Sequence, residues 1–216
     1  MRLSAIAAGE PARGALTENG NRVGDITGDG TLALLLFGGL FAGLAGGPLL
    51  FALRAVLPRR FLPLSISIVL LALAGTQVID PGNSDFVILG DRALNVAMFA
   101  ALFALHAVIA VWLAERLERW LLRPPLIHIA PLALVATIVG IGLGLLAAPA
   151  VVLNAGGLAG TTGTVTLVVT LVLGTVVALD VGEASRRALP AARLVLAIGT
   201  AVGLVRLATD VTTIVA

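Results

Sequence analysis

The sequence contains no cysteine, no lysine and no tyrosine, and only two histidines, His106 and His128. Without cysteine there can be no disulfide, thiolate nucleophile, cysteine-ligated zinc or iron–sulfur cluster. Two histidines on different apolar stretches make a haem pair at a common depth improbable, and the serine-hydrolase and zinc-protease patterns Gly-x-Ser-x-Gly and His-Glu-x-x-His are absent. We therefore expect no metal, no cofactor and no enzymatic activity.

Charge is scarce as well. Only 12% of the residues are charged and 59% are apolar, and the mean hydropathy is +1.08, whereas soluble domains have about 25% charged residues. All 14 basic residues are arginine, and the richness in Ala, Gly, Val and Leu is typical of a GC-rich bacterial genome. The arginines are scattered over short connections, which excludes a nucleic-acid-binding face. The composition predicts a multi-pass protein of the bacterial cytoplasmic (inner) membrane.

Six apolar stretches are each long enough to cross a bilayer, for which a helix needs about 20 residues. They predict an all-α, polytopic transmembrane bundle over residues 31–216, preceded by a polar tail over residues 1–30. The third helix should continue to about Leu122, because Glu115 and Arg119 form a favourable helical pair before a Pro-Pro sequence stops it. The predicted spans are 31–53, 61–79, 93–113, 127–148, 164–179 and 191–209.

The arginines are concentrated in every second connection between these spans. The intervening connections are acidic or uncharged, so the positive-inside rule places the arginine-rich connections in the cytoplasm and both termini outside. The alternative is a further upstream span, lost through a misassigned start, which would place the N-terminus in the cytoplasm. The connections after the first, third and fifth spans contain Arg54, Arg59, Arg60, Arg116, Arg119, Arg123, Arg186, Arg187 and Arg193.

A short motif occurs twice, as Arg-Arg-Phe-Leu-Pro at residues 59–63 and Arg-Arg-Ala-Leu-Pro at residues 186–190. One interpretation is a duplicated helical hairpin whose arginine pairs bind anionic lipid headgroups. The simpler interpretation is that paired arginines obey the positive-inside rule and that proline suits the first turn of the next helix. The candidates for headgroup binding are Arg59, Arg60, Arg186 and Arg187.

Glycines recur every fourth residue in the first predicted span, at Gly39, Gly43 and Gly47, and again in the fourth, at Gly140 and Gly144. Small residues let another helix backbone approach closely, and this contact drives much of the association between membrane helices. We predict helix-packing faces at both positions. They pack on each other, on a second copy of the chain or on a partner subunit.

Polar residues within the spans are the first place to look for function, because an unpaired charge in a bilayer is costly. His106 is either a proton-relay or ligand residue, or a neutral imidazole hydrogen-bonded between helices. Arg206 and Asp210 form either a salt bridge at the outer interface or part of an aqueous vestibule where the guanidinium binds an anion. Asp80 and Asn95 lie at the same predicted outer level and could join them.

The glycine faces are stronger signals than the few polar residues within the spans. The favoured function is therefore a non-enzymatic structural or accessory subunit. Its expected partners are the lipid bilayer and either other membrane-protein subunits or a second copy of itself. The alternative is a small-solute or proton-coupled transporter, with a lipid-directed enzyme as a third choice. A water-accessible cavity reaching His106 would favour transport, and outward-turned glycine faces would favour the subunit.

Overall fold

The computed structural model describes residues 14–16, 22–23, 28–33, 42–75, 79–83, 85–88, 90–121, 158–180 and 182–216. Within these ranges the chain is helical, with one isolated antiparallel bridge and no strand, which confirms the all-α fold class. The elements are α1 (Gly28–Ala33), α2 (Ala42–Val56), a 3-10 turn (Arg59–Phe61), α3 (Leu62–Ala74), α4 (Asp85–Ile88), α5 (Arg92–Leu121), α6 (Leu158–Ala178) and α7 (Gly182–Val215).

Two of the described helices are long and apolar enough to cross a membrane. They are Arg92–Trp120 in α5 and Gly182–Val215 in α7, whose apolar segments of 18 residues have mean hydropathies of 2.4 and 1.9. Only 11% and 22% of these apolar segments are buried, although the core helix of a soluble protein would be mostly buried. Length and hydropathy therefore support association with a membrane.

Helix α5 is described as far as Leu121, and the predicted end at about Leu122 and the two prolines lie outside the described residues. Within the helix predicted over 61–79, the structure describes α3 over Leu62–Ala74, and the Ile79 N–H donates to the Gly75 carbonyl at 2.7 Å, with the four-residue spacing of an α-helix. The continuity of the first predicted span across residues 34–41 and the whole fourth span, 127–148, lie outside the described residues.

The predicted span 191–209 lies inside a longer helix. The structure begins α7 at Gly182, so Pro190 lies inside the helix and not in its first turn. The turn after α6 is made by Asp180 and Gly182, both with positive φ (48° and 52°), and Glu183 then follows in the first turn of α7, where an acidic side chain interacts well with the helix dipole. The connection is therefore shorter than the sequence pattern indicates.

The repeated Arg-Arg-x-Leu-Pro motif adopts two different structures. Its first copy forms the 3-10 turn and places Pro63 in the first turn of α3. Its second copy lies entirely within α7. The structural difference removes the support for a duplicated hairpin, and the first-turn role of proline holds for Pro63 but not for Pro190.

Helix α3 lies at the centre of the described bundle, against α5, α6 and α7, and α6 also packs along α2 and α7. Buried apolar side chains of α3 contribute to the main core. A smaller apolar cluster lies near the C-terminal end of α3, around Ile79 and Leu207. The main core comprises Leu53, Val56, Leu62, Ile66, Val69, Leu73, Ala107, Val111, Ala192 and Leu196.

The closest approaches between helices occur at glycines of α6 and α7. A Cβ atom at Gly174 would lie 2.7 Å from the Ala52 Cβ of α2, and one at Gly203 would overlap the Ala72 carbonyl of α3. These positions require hydrogen as the side chain, since no β-carbon fits between the backbones. Gly163 has the same role against the Leu73 carbonyl, whereas a Cβ atom at Gly199 would overlap the Thr166 side chain.

Candidate functional site

Two contacts bring the arginine-rich segments together at one end of the bundle. Arg54, near the end of α2, pairs with Glu118 of α5 at 3.0 Å. From α7, the Nε of Arg193 donates to the Val56 carbonyl oxygen at 3.0 Å, and this carbonyl is one of those that the end of α2 leaves without a helical donor. Both contacts join residues far apart in sequence, and they connect the C-terminal end of α2 to the C-terminal part of α5 and to α7 three turns after its start.

The headgroup candidates lie at this arginine-rich end with different surroundings. Arg59 and Arg60 are exposed on the 3-10 turn, with the Arg60 guanidinium 5.2 Å from the Phe61 ring. Arg186 is exposed on α7, whereas Arg187 pairs with Glu183 one turn earlier. Exposed guanidinium groups beside aromatic rings are typical of the interface between a bilayer and water.

The opposite end of the bundle, called the acidic end here, contains Asp80 and Asp210, whereas Glu118 and Glu183 lie at the arginine-rich end. Arg92, at the start of α5, donates to the Ile214 carbonyl of α7 at 3.2 Å. One turn before Ile214, Asp210 is buried and pairs with the half-exposed Arg206 at 3.6 Å. Asp80 lies near enough for its carboxylate to interact electrostatically with that of Asp210. The structure therefore groups Asp80, Arg206 and Asp210 at this acidic end.

Asn95 lies one turn into α5 from Arg92 and is only 1% exposed. No described residue accepts a hydrogen bond from its side-chain amide nitrogen. A buried polar group left without a partner costs about 1–3 kcal/mol, so the residues around Asn95 do not compensate for its burial. The antiparallel register set by Arg92 and Ile214 places Asn95 and Asp210 at similar depths.

His106 does not join this group. It is exposed on the outer face of α5, where Leu102, Leu105 and Ile109 are also exposed. Two open clefts lie between described helices, and neither is lined by His106 or by the acidic-end residues. Both clefts are at the arginine-rich end, one beside Glu183 and Arg187 and the other beside Arg193.

The predicted glycine faces are only partly described. Gly43 lies in the first turn of α2, and Gly39, Gly140 and Gly144 lie outside the described residues. Gly47 is exposed, and no described atom lies within 4 Å of a Cβ placed there. The described end of the first glycine face is therefore not used for packing within the described bundle.

Sequence reasoning missed two features of this arrangement. Gly199 and Gly203 form a Gly-x-x-x-Gly pair in α7 that a search for small-residue spacing would have found. The bond between Arg193 and Val56 joins residues 137 positions apart, and no local pattern signals such a contact.

Among the described residues no group of three or more His, Asp or Glu residues could hold a metal ion. The chain matches no family model, and comparison with curated proteins and with solved structures finds no similar protein. What the chain does must therefore follow from its own residues: an arginine-rich end, an acidic end and apolar helix faces between them.

Proposed function

We propose that this chain is a six-span protein of the bacterial cytoplasmic membrane and a non-enzymatic structural or accessory subunit. The observation that carries the proposal is the outer surface of α5 and α7, where large apolar side chains are uncovered between two charged ends. Soluble monomers rarely expose contiguous apolar patches larger than a few hundred Å², whereas lipid covers such a surface. The exposed side chains include Leu102, Leu105, Val108, Ile109, Leu113, Leu194, Ile198, Val202 and Val205.

The direction of the helices supports an additional crossing beyond those described. Helix α5 begins beside Ile214 at the acidic end and ends at the arginine-rich end. Helix α6 starts again at the acidic end, since Gly163 lies against Leu73 near the C-terminus of α3. Residues 122–157 therefore join opposite ends of the bundle, in agreement with the span proposed for residues 127–148.

The surroundings of Gly47 support the subunit role over transport. In the described bundle, close helix contacts use glycines of α6 and α7, and the space beside Gly47 contains no described residue. A second membrane helix can approach a glycine face of this kind closely. The outward position of His106 gives no support to a proton path through the bundle.

Purification of the tagged full chain in a mild detergent, with mass determination and identification of bound proteins, tests this role. We expect a stoichiometric partner, either another membrane protein or a second copy, that is lost in Gly47→Leu. The matched control is Ala201→Leu, an equally exposed small-to-large change on α7, which should retain the partner. A wild-type chain that purifies as a lone monomer contradicts the subunit role.

A further inference from the structure

A narrow apolar cleft opens at the arginine-rich end, between the end of α2, α3 and α7. Its walls are the apolar side chains of Val56, Leu57, Val69, Leu196 and Ala197, with Pro58 at the rim. Its volume is about 180 Å³, below the roughly 300–1,000 Å³ of sites for drug-sized ligands. The cleft therefore fits a segment of hydrocarbon chain better than a compact solute.

The cleft is elongated along the bundle axis. Arg193 marks one end and Thr200 lies two turns further along α7, which corresponds to about 10 Å at 1.5 Å per residue. Val69 is likewise two turns into α3 from its first residue. An acyl chain entering beside Arg193 would therefore run inward along α3 and α7.

Positive charge surrounds the open end of this cleft. Arg193 uses its Nε for the Val56 carbonyl, and its two terminal nitrogens remain without a described acceptor. Pro58 at the rim is followed directly by the exposed Arg59 and Arg60. A guanidinium binds phosphate through two parallel hydrogen bonds, and its charge strengthens both.

We infer that this cleft binds an anionic phospholipid, with one acyl chain between α3 and α7 and the phosphate held by Arg193 and the Arg59–Arg60 pair. The inference rests on the proposed membrane location and adds a specific lipid site to it. Apolar walls alone would accept any lipid, so the three arginines are what select a negatively charged headgroup.

The second cleft at the same end lacks this charge. It lies between α6 and α7 and is lined by Arg187 together with Glu183, and these two side chains form an ion pair. A carboxylate that already neutralises the guanidinium also repels an approaching phosphate. The lipid site is therefore specific to the cleft beside Arg193.

The test is native mass spectrometry of the purified full chain with equal amounts of phosphatidylglycerol and phosphatidylcholine that carry identical acyl chains. Wild type should retain one phosphatidylglycerol in preference to phosphatidylcholine. Arg59→Gln with Arg60→Gln should lower the phosphatidylglycerol affinity by about tenfold, because each interfacial arginine strengthens anionic lipid binding severalfold. Ala197→Phe, which fills the cleft from an exposed position, should abolish retention, with Ala197→Leu as the milder variant.

The charge-matched control is Arg119→Gln with Arg186→Gln, which removes two exposed arginines of α5 and α7 that, unlike Arg59 and Arg60, are not adjacent in sequence to the rim residue Pro58. Equal weakening in this control would overturn the inference in favour of diffuse attraction by the whole arginine-rich end. Displacement of the lipid by inorganic phosphate alone would also overturn it, since the acyl chain would then contribute nothing. Cysteine labelling measures the number of spans, and purification with identification of bound proteins measures the partner. A negative lipid-binding result is therefore distinct from failure of the proposed function.

Discussion

At Gly203 the backbone of α7 passes directly over the Ala72 carbonyl of α3, and at Gly47 the space beside α2 contains no described atom. The same residue type therefore has opposite effects at two positions in the bundle. At one it permits contact between helices, and at the other it leaves a surface where a second helix can approach.

Gly203→Ala should destabilise the protein by about 1–3 kcal/mol, because the added methyl group forces two backbones apart in a packed region. Gly47→Ala should be neutral or stabilising by up to about 1 kcal/mol, the helix propensity gained at an unobstructed position. The free energy of unfolding in detergent, measured for both variants, checks the prediction. Equal destabilisation by the two changes would contradict it.

The ion pair between Arg54 and Glu118 connects two helix ends at 3.0 Å, with side-chain exposures of 28% and 56%. At this exposure solvent screens the attraction, so we expect a coupling energy below about 1 kcal/mol that decreases with added salt. A double-mutant cycle with Arg54→Gln and Glu118→Gln measures it. A coupling of several kcal/mol, insensitive to salt, would show that this end of the bundle is shielded from water.

Single residues also show the limits of the sequence as a guide. The spacing of Gly39, Gly43 and Gly47 reports that a close approach is possible, but it does not say which neighbour fills the space. That depends on how the helices cross, and in the structure the helices that cross closely at glycine are α6 and α7. The exposure of His106 is equally invisible in sequence, because both sides of α5 carry long apolar side chains.

Among the elements, α7 is the one whose extent the sequence misjudges. Proline typically stops a helix or begins one, so Pro190 was expected at a helix start. Helix α7 continues through Pro190, because the chain reverses direction earlier, at Asp180 and Gly182.

Pro190→Ala should stabilise the protein by about 1–3 kcal/mol, since it restores a donor for the carbonyl four residues earlier and removes the steric clash of the ring. Pro63→Ala is the matched control, because Pro63 occupies the first turn of α3, where proline is tolerated. Unfolding of both variants in the same detergent provides the comparison. If Pro63→Ala raised the free energy of unfolding more than Pro190→Ala does, α7 would not continue through residue 190.

At the scale of the whole molecule, charge is divided between two ends. Arg54, Arg193 and Glu118 meet at one end, and Asp80, Arg92 and Asp210 lie at the other. The sequence indicates which connections contain the arginines, and their orientation relative to a membrane stays a prediction of the positive-inside rule. The contacts that hold each end together required the three-dimensional structure.

The natural absence of cysteine makes the orientation directly measurable, since each introduced cysteine reports on its own position. We expect Gly82→Cys to react with a membrane-impermeant maleimide on intact cells, and Pro58→Cys and Ala184→Cys to react only after the membrane is opened. All three positions are exposed. Arg123→Cys and Asn154→Cys should behave oppositely to each other, the former inside and the latter outside.

Labelling of Pro58→Cys on intact cells would reverse the orientation. Equal reactivity of Arg123→Cys and Asn154→Cys would remove the crossing between them and with it the six-span topology. Failure of the chain to sediment with membranes would contradict the membrane location itself.

The apolar stretch of α7 has one further consequence. Only residues 194–205 separate Arg193 from Arg206, a distance of about 18 Å at 1.5 Å per residue, and the 13 residues of α3 extend about 20 Å. The hydrocarbon core of a bilayer is about 30 Å thick. In a bilayer that the chain spans as proposed, this hydrophobic mismatch beside α7 would be accommodated by local thinning or by Arg193 and Arg206 extending toward the headgroups.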